Sequence, residues 1–182
     1  VDEGDPFSAL LINKSINRIK GRDIFGIVEH KITEGSSKDL RVLEISVTEK
    51  ATGEIMAGAG VGTDGTSFQF VVKENNWLGR GINLNSELNL STVKASGRIS
   101  IINPNYNFTN NAVHGALDIS STDRSTNSGY KSSKTGLNLG TSFEQYEDIF
   151  IAPEILFSYE DIEVDSSATA AVKKMDGTFL NT

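Results

Sequence analysis

The sequence has no cysteine and only two histidines among 182 residues. The first absence removes disulfides, thiolate nucleophiles and cysteine metal sites together. His30 and His114 stand far apart, without H-x-x-H or H-E-x-x-H spacing, which argues against a zinc site. Positive charge is short as well: 17 Lys and Arg face 24 Asp and Glu, for a net charge of −7 and a pI near 4.9. A nucleic-acid surface wants a basic stripe, so that class of partner is excluded. No run approaches the roughly twenty apolar residues of a membrane helix. The opening VDEGDPF has neither an initiator methionine nor a signal-peptide pattern, and the closing MDGTFLNT reads as the start of another strand. The expectation is an excised piece of a longer protein.

What is present falls into two parts. Within residues 1–50, PFSALLINKSINRIKGR places Leu11 or Ile12, then Ile16 and Ile19, at helical spacing, with Gly21 suited to the C-terminal stop. IFGIVEHKIT and LRVLEISVTEK alternate like two strands around the turn EGSSKD. The expected unit is helix–strand–strand, with Ile16 and Ile19 on the hairpin and His30 as a plain strand residue.

Residues 51–182 show no helical period. Seven strands of about nine residues are expected: IMAGAGVGT, SFQFVVKEN, INLNSELNL, ASGRISII, VHGALDISS, SKTGLNLGT and IFIAPEILFSY, before the start of an eighth. In the third, Ile82, Leu84, Leu88 and Leu90 share one parity, while Asn83, Asn85, Glu87 and Asn89 take the other. One greasy and one wet face suit either a sheet on a soluble core or the wall of a membrane barrel.

The turns favour the barrel. Numbered along this meander, the odd turns TDG, STVK, TDRSTNSGYKS and EDIEVDSSATAAVKKMDGT are polar and mostly lengthen. The even turns hold Trp77, then Tyr106 and Phe108, then Phe143 and Tyr146. Alternate turns of a meander emerge on opposite edges, so aromatics collect on one edge and polar loops on the other. Membrane barrels sort their ends this way, with aromatics at the headgroup level.

Several motifs imitate chemistry. GVGTDG, from Gly60 to Gly65, spells G-x-G-x-x-G, but a strand pattern follows it where a dinucleotide site needs a helix. Glu160, Asp161, Glu163 and Asp165 miss the spacing and the glycine of a calcium loop, and read as a solvated loop. No G-x-S-x-G elbow occurs. No enzymatic chemistry is visible, and no cofactor or metal is expected.

TGEIMAGAGVGTDGTSFQF, ENNWLGRGINLN and INPNYNF, in this order behind a helix–strand–strand unit, resemble the BamA family of outer-membrane assembly factors. That family carries an NWLG-type turn after its second barrel strand and an NPYF-type turn after its fourth; Asn105 and Asn107 loosen the second motif here. The resemblance implies a mainly β chain. Residues 1–50 would be the end of a periplasmic POTRA domain, and 51–182 an incomplete antiparallel up-and-down barrel in the bacterial outer membrane. It implies odd turns outside the cell and even turns in the periplasm. Ile82, Leu84, Leu88 and Leu90 would face lipid, with Trp77, Tyr106, Phe108, Phe143 and Tyr146 at the membrane boundary. It further implies a substrate-pairing edge at Glu54, Ile55, Met56, Ala57, Gly58, Ala59, Gly60 and Val61, a non-enzymatic insertase activity, and as partners barrel clients, accessory assembly lipoproteins and outer-membrane lipid. The alternatives are a related POTRA-barrel protein (a TamA-like factor or a two-partner-secretion transporter) and, in another class, a soluble all-β binding module.

Overall fold

The computed structural model describes residues 4–63 and 65–182. Asp64, in the expected TDG turn and in GVGTDG, and the opening Val1, Asp2 and Glu3 lie outside the described residues. The chain divides into two units, 1–52 and 53–182.

The first unit is a helix, α1 (Ala9–Gly21), followed by the antiparallel pair β1 (Phe25–Glu34) and β2 (Arg41–Glu49). Ser8, extended at the N-cap, accepts the Leu11 N–H at 3.4 Å and so satisfies one of the helix's orphan donors. Ile12 and Ile16 are the buried residues; Leu11 faces out and Ile19 is half-buried. Gly21 does not stop the helix. It is the last helical residue; the Arg22 N–H donates to the Ile19 carbonyl and the Asp23 N–H to the Lys20 carbonyl, at 3.2 and 3.1 Å, and Asp23 takes the left-handed conformation at φ 54°. Aspartate is among the residues that enter that region most readily, and its carboxylate is held here by Lys50 at 2.5 Å. His30 pairs in register with Ile45 and is exposed, an ordinary strand position.

The second unit is one antiparallel meander. Its strands are β3 (Gly53–Gly62), β4 (Gly65–Trp77), β5 (Ile82–Ser91), β6 (Lys94–Tyr106), β7 (Asn111–Asp123), β8 (Tyr130–Tyr146), β10 (Glu154–Val164) and β11 (Gly177–Asn181), each beside the next. A short β9 (Ile149–Ile151) pairs with the end of β8.

Four details depart from the sequence reading. Strands reach 13 residues in β4, β6 and β7 and 17 in β8, because ladder pairing continues through polar ends that carry no hydrophobic signal. IFIAPEILFSY is broken between β9 and β10 at Pro153, which has no N–H to give a ladder; its carbonyl accepts the Thr141 N–H at 3.1 Å instead. Glu160, Asp161 and Glu163 belong to β10 rather than to a loop; only Asp165 is outside it. Two single helical turns, α2 (Ser125–Ser128) and α3 (Ala170–Lys173), interrupt the longest odd loops, the second capped by Thr169.

Among the described residues of 53–182 no second layer covers this sheet. Large apolar side chains stay exposed along one face of it, Ile55, Val72, Ile99, Leu117, Leu137 and Phe157 among them.

Candidate functional site

The ladder fixes which residues share a face. Reading across from Ile55, the row runs Val72, Ser86, Ile99, Leu117, Leu137 and Phe157. The rows on either side of that parity hold Leu84 with Ile101 and Leu139, and Phe70 with Leu88 and Ile119. Ile82, Leu84, Leu88 and Leu90 therefore stand on the apolar face, as their parity predicts, and Asn83, Asn85, Glu87 and Asn89 on the other. That second face is polar and networked. Gln69 and Asn89 donate to Glu87 Oε1 at 2.9 and 2.8 Å, and Arg98 pairs with Asp118 at 3.0 Å on the adjoining strands. The sheet's buried side chains, Val71, Ala116, Ser158 and Ile162, all lie on this polar face, so the sheet curls around it. An open cleft of about 470 Å³ follows, lined by Glu87, Arg98, Asp118, Lys134 and Asn138 among others.

The apolar band does not cross the strands at a right angle. Its run on β3, Ile55 to Val61, is centred on Gly58; its run on β8, Leu137 to Phe143, is centred on Gly140. The perpendicular line from Gly58 passes Gln69, Asn89, Ser96 and Ser120 and meets β8 at Lys134, six residues away from that centre. Six residues are ~20 Å along a strand and five strand spacings ~24 Å across, so the band is inclined ~40° to the perpendicular. The run on β7, Val113 to Ile119, falls close to the same line.

The even edge shows why the aromatics break the alternation. By simple parity Trp77, Tyr106 and Tyr146 belong on the polar face. Each is preceded by a register shift, between Glu74 and Trp77, Asn103 and Tyr106, and Glu144 and Tyr146. The extra residue returns each aromatic to the apolar face, where Trp77 pairs with Ile82, Tyr106 with Asn111 and Tyr146 with Ile149. All three are the last residues of their strands rather than turn residues, Phe143 lies inside β8, and only Phe108 sits in a turn. The sequence reading missed the bulges; an aromatic on the wrong parity at the end of a strand was their signal.

At the odd edge the loops are joined sideways. Asp123 N–H donates to the Val93 carbonyl at 2.8 Å, and Asp165 N–H donates to the Gly129 carbonyl at 2.8 Å. Asp165 in turn accepts the Ser167 N–H and hydroxyl at 2.8 and 2.7 Å, which hold its carboxyl below the usual carboxylate range, the backbone bond most.

The sequence-marked edge, Glu54 to Val61, lies in β3, which pairs with β4 on one side and is exposed along its whole length. Gly58 and Gly62 have open space where a Cβ would stand, so at these positions the strand offers its neighbour no side chain to pack.

No protein-family model and no curated protein matches the chain. Among solved structures the chain is similar to the crystal structure of BamA from Haemophilus ducreyi lacking POTRA domains 1-3, at TM-score 0.71 and 20% identity over 90% of this chain. The fold is BamA-like. The chain spans about a third of that protein, 32% of its length, which agrees with a meander left open between β3 and β11. Similarity at this identity establishes the shared barrel architecture and assigns no role to a residue.

Proposed function

We propose that this chain is part of an outer-membrane β-barrel assembly factor that helps other barrel proteins fold and insert, without covalent chemistry. The membrane half of this reading is supported by the inclined band, since strands of transmembrane barrels tilt by roughly 35–45° and their outward residues form a level apolar belt. Residues 1–50 are then the end of a periplasmic POTRA domain, with accessory lipoproteins as further partners.

The observation that carries the assembly half is β3. A strand edge inside lipid leaves N–H and C=O groups unpaired at several kcal/mol each, so an unsealed edge templates an incoming strand. β3 offers little side chain to hold its neighbours: four of its ten residues, Gly53, Gly58, Gly60 and Gly62, are glycine. Pairing through backbone bonds ignores client sequence, which suits a factor serving many clients.

The test is a disulfide between β3 and the last barrel strand of the full-length protein. Locked protein is expected to lose client insertion into lipid vesicles, and reduction to restore it. Insertion at the normal rate with the seam locked overturns the reading.

A further inference from the structure

We infer that Tyr159 marks the boundary of the bilayer opposite to Trp77, Tyr106 and Tyr146; this rests on the membrane reading above. Six residues of displacement over five strands move the centre of the apolar band ~1.2 residues per strand toward the even edge. The centre is then near residue 70 on β4, between 99 and 100 on β6, and at Gly140 on β8. With the bulge residue left out, Trp77, Tyr106 and Tyr146 lie five to six residues beyond it, about 13–15 Å after correction for tilt. Three aromatics from three strands thus fall on one plane. Phe143 does not: three residues from the centre, about 8 Å, puts it inside the band rather than at the boundary.

Continued one step to β10, the same line meets the strand path near residue 153, because Lys134 pairs with Glu160 and the centre has moved about seven residues. Tyr159 then lies about six residues, or about 16 Å, on the odd side of the centre. It stands on the apolar face, between Thr135 of β8 and Leu180 of β11, half exposed. Beyond it on the same face come Asp161 and Glu163, and across from these Ser133 and Lys131: the surface turns from apolar to charged at this tyrosine. A ring with one apolar body and one hydroxyl fits that level, its ring among acyl chains and its oxygen at the headgroups. The two aromatic levels are ~29–31 Å apart, the thickness of a bilayer's hydrocarbon core.

The test uses the full-length protein in phosphatidylcholine–phosphatidylglycerol vesicles, with nitroxide labels on single cysteines placed by Leu139→Cys, Phe157→Cys and Tyr159→Cys. Depth is read as the ratio of oxygen to nickel-chelate relaxation. Leu139 should be deepest, Phe157 intermediate and Tyr159 at the boundary, with the ratio falling severalfold from first to last. Should Tyr159→Cys misfold, Phe157→Cys alone still has to read shallower than Leu139→Cys. If Leu139 is deep and Tyr159 or Phe157 equally deep, this assignment is overturned while the membrane reading stands. If Leu139 is open to the nickel chelate, both fall together.

Discussion

Asn76 reaches five residues forward to accept the Gly81 N–H at 2.7 Å, closing the β4–β5 turn on itself. Twenty-nine residues later Asn105 does the same for Asn110 at 2.8 Å. The likeness extends to the bulges, where Glu74 Oε1 accepts the Asn76 N–H and Asn103 Oδ1 the Asn105 N–H. Left-handed residues recur at matching places, Leu78, Gly79 and Gly81 against Asn107, Phe108 and Asn110. One bulge-and-turn device thus sets two aromatics on the apolar face. Replacing either asparagine by alanine removes the clamp, and the two sites differ in burial. Gly81 N–H is part-buried and would be left unpaired, a cost of about 1–2 kcal/mol, whereas Asn110 N–H is exposed and regains water, about 0.5 kcal/mol. Urea midpoints of the refolded full-length protein should rank Asn76→Ala below Asn105→Ala.

The two faces of β5 give a sharper contrast. A charged residue on the lipid side near mid-bilayer costs about 2–4 kcal/mol, while the polar face looks into a wet cleft. Leu84→Arg in the full-length protein is expected to lower barrel assembly severalfold more than Asn85→Arg, read as folded, heat-modifiable protein on gels. Equal tolerance at the two sites would place Leu84 in water.

Gly129 ties the β7–β8 loop to the β10–β11 loop. It sits at φ 71°, and a Cβ there would stand 2.9 Å from that of Ala168. Gly129→Ala therefore carries a left-handed penalty of about 1–2 kcal/mol together with a clash. Faster amide exchange over residues 165–176 is the expected result. Adding Ala168→Gly should recover only the part due to the clash.

Acid acts on the same junction through Asp165. Its folded pKa is depressed below the ordinary value of 3.8, so the carboxylate's contribution to loop order is present above that value and is lost as pH falls through the lower folded one. Proteolysis of the 165–176 loop by an acid-active protease should accelerate below about pH 4. Asp165→Asn should flatten that dependence.

Much of this architecture is legible in the residues themselves. Alternation in INLNSELNL places Leu84 and Leu88 on one face because strand geometry admits only two, and the order of eight strands follows from turn chemistry alone. What stays hidden depends on partners distant in sequence. The ends of β8 are rich in polar residues, lysine and serine at its start and threonine, serine, glutamate and glutamine at its close, and their strand state comes from pairing with β7, β9 and β10 rather than from propensity. The bulges before Trp77, Tyr106 and Tyr146 show in the sequence only as an aromatic on the wrong parity at a strand end; they are registers, defined only when the second strand is present. Gly21 misled for a related reason: helix ends are set by which residue can leave the helix, and Asp23 with its Lys50 partner did so two positions later.

Phe108 carries the most direct test of the even edge, because two effects there have opposite signs. It is a bulky residue at φ 60°, a conformation costing about 1–2 kcal/mol that glycine adopts freely, and its side chain is 92% exposed. The turn's own hydrogen bonds hold this conformation, and a fully hydrated phenyl ring offsets none of its cost in water, whereas a cover from outside the chain would. A headgroup layer would do so, with burial of an aromatic ring contributing about 1.5–3 kcal/mol. Phe108→Gly should therefore stabilise the full-length barrel in small detergent micelles by about 1 kcal/mol, read from urea midpoints. The same variant in phospholipid vesicles should gain nothing or lose stability. A gain of equal size in both media would show that Phe108 meets water on both occasions, and would take the β6–β7 turn off the membrane surface.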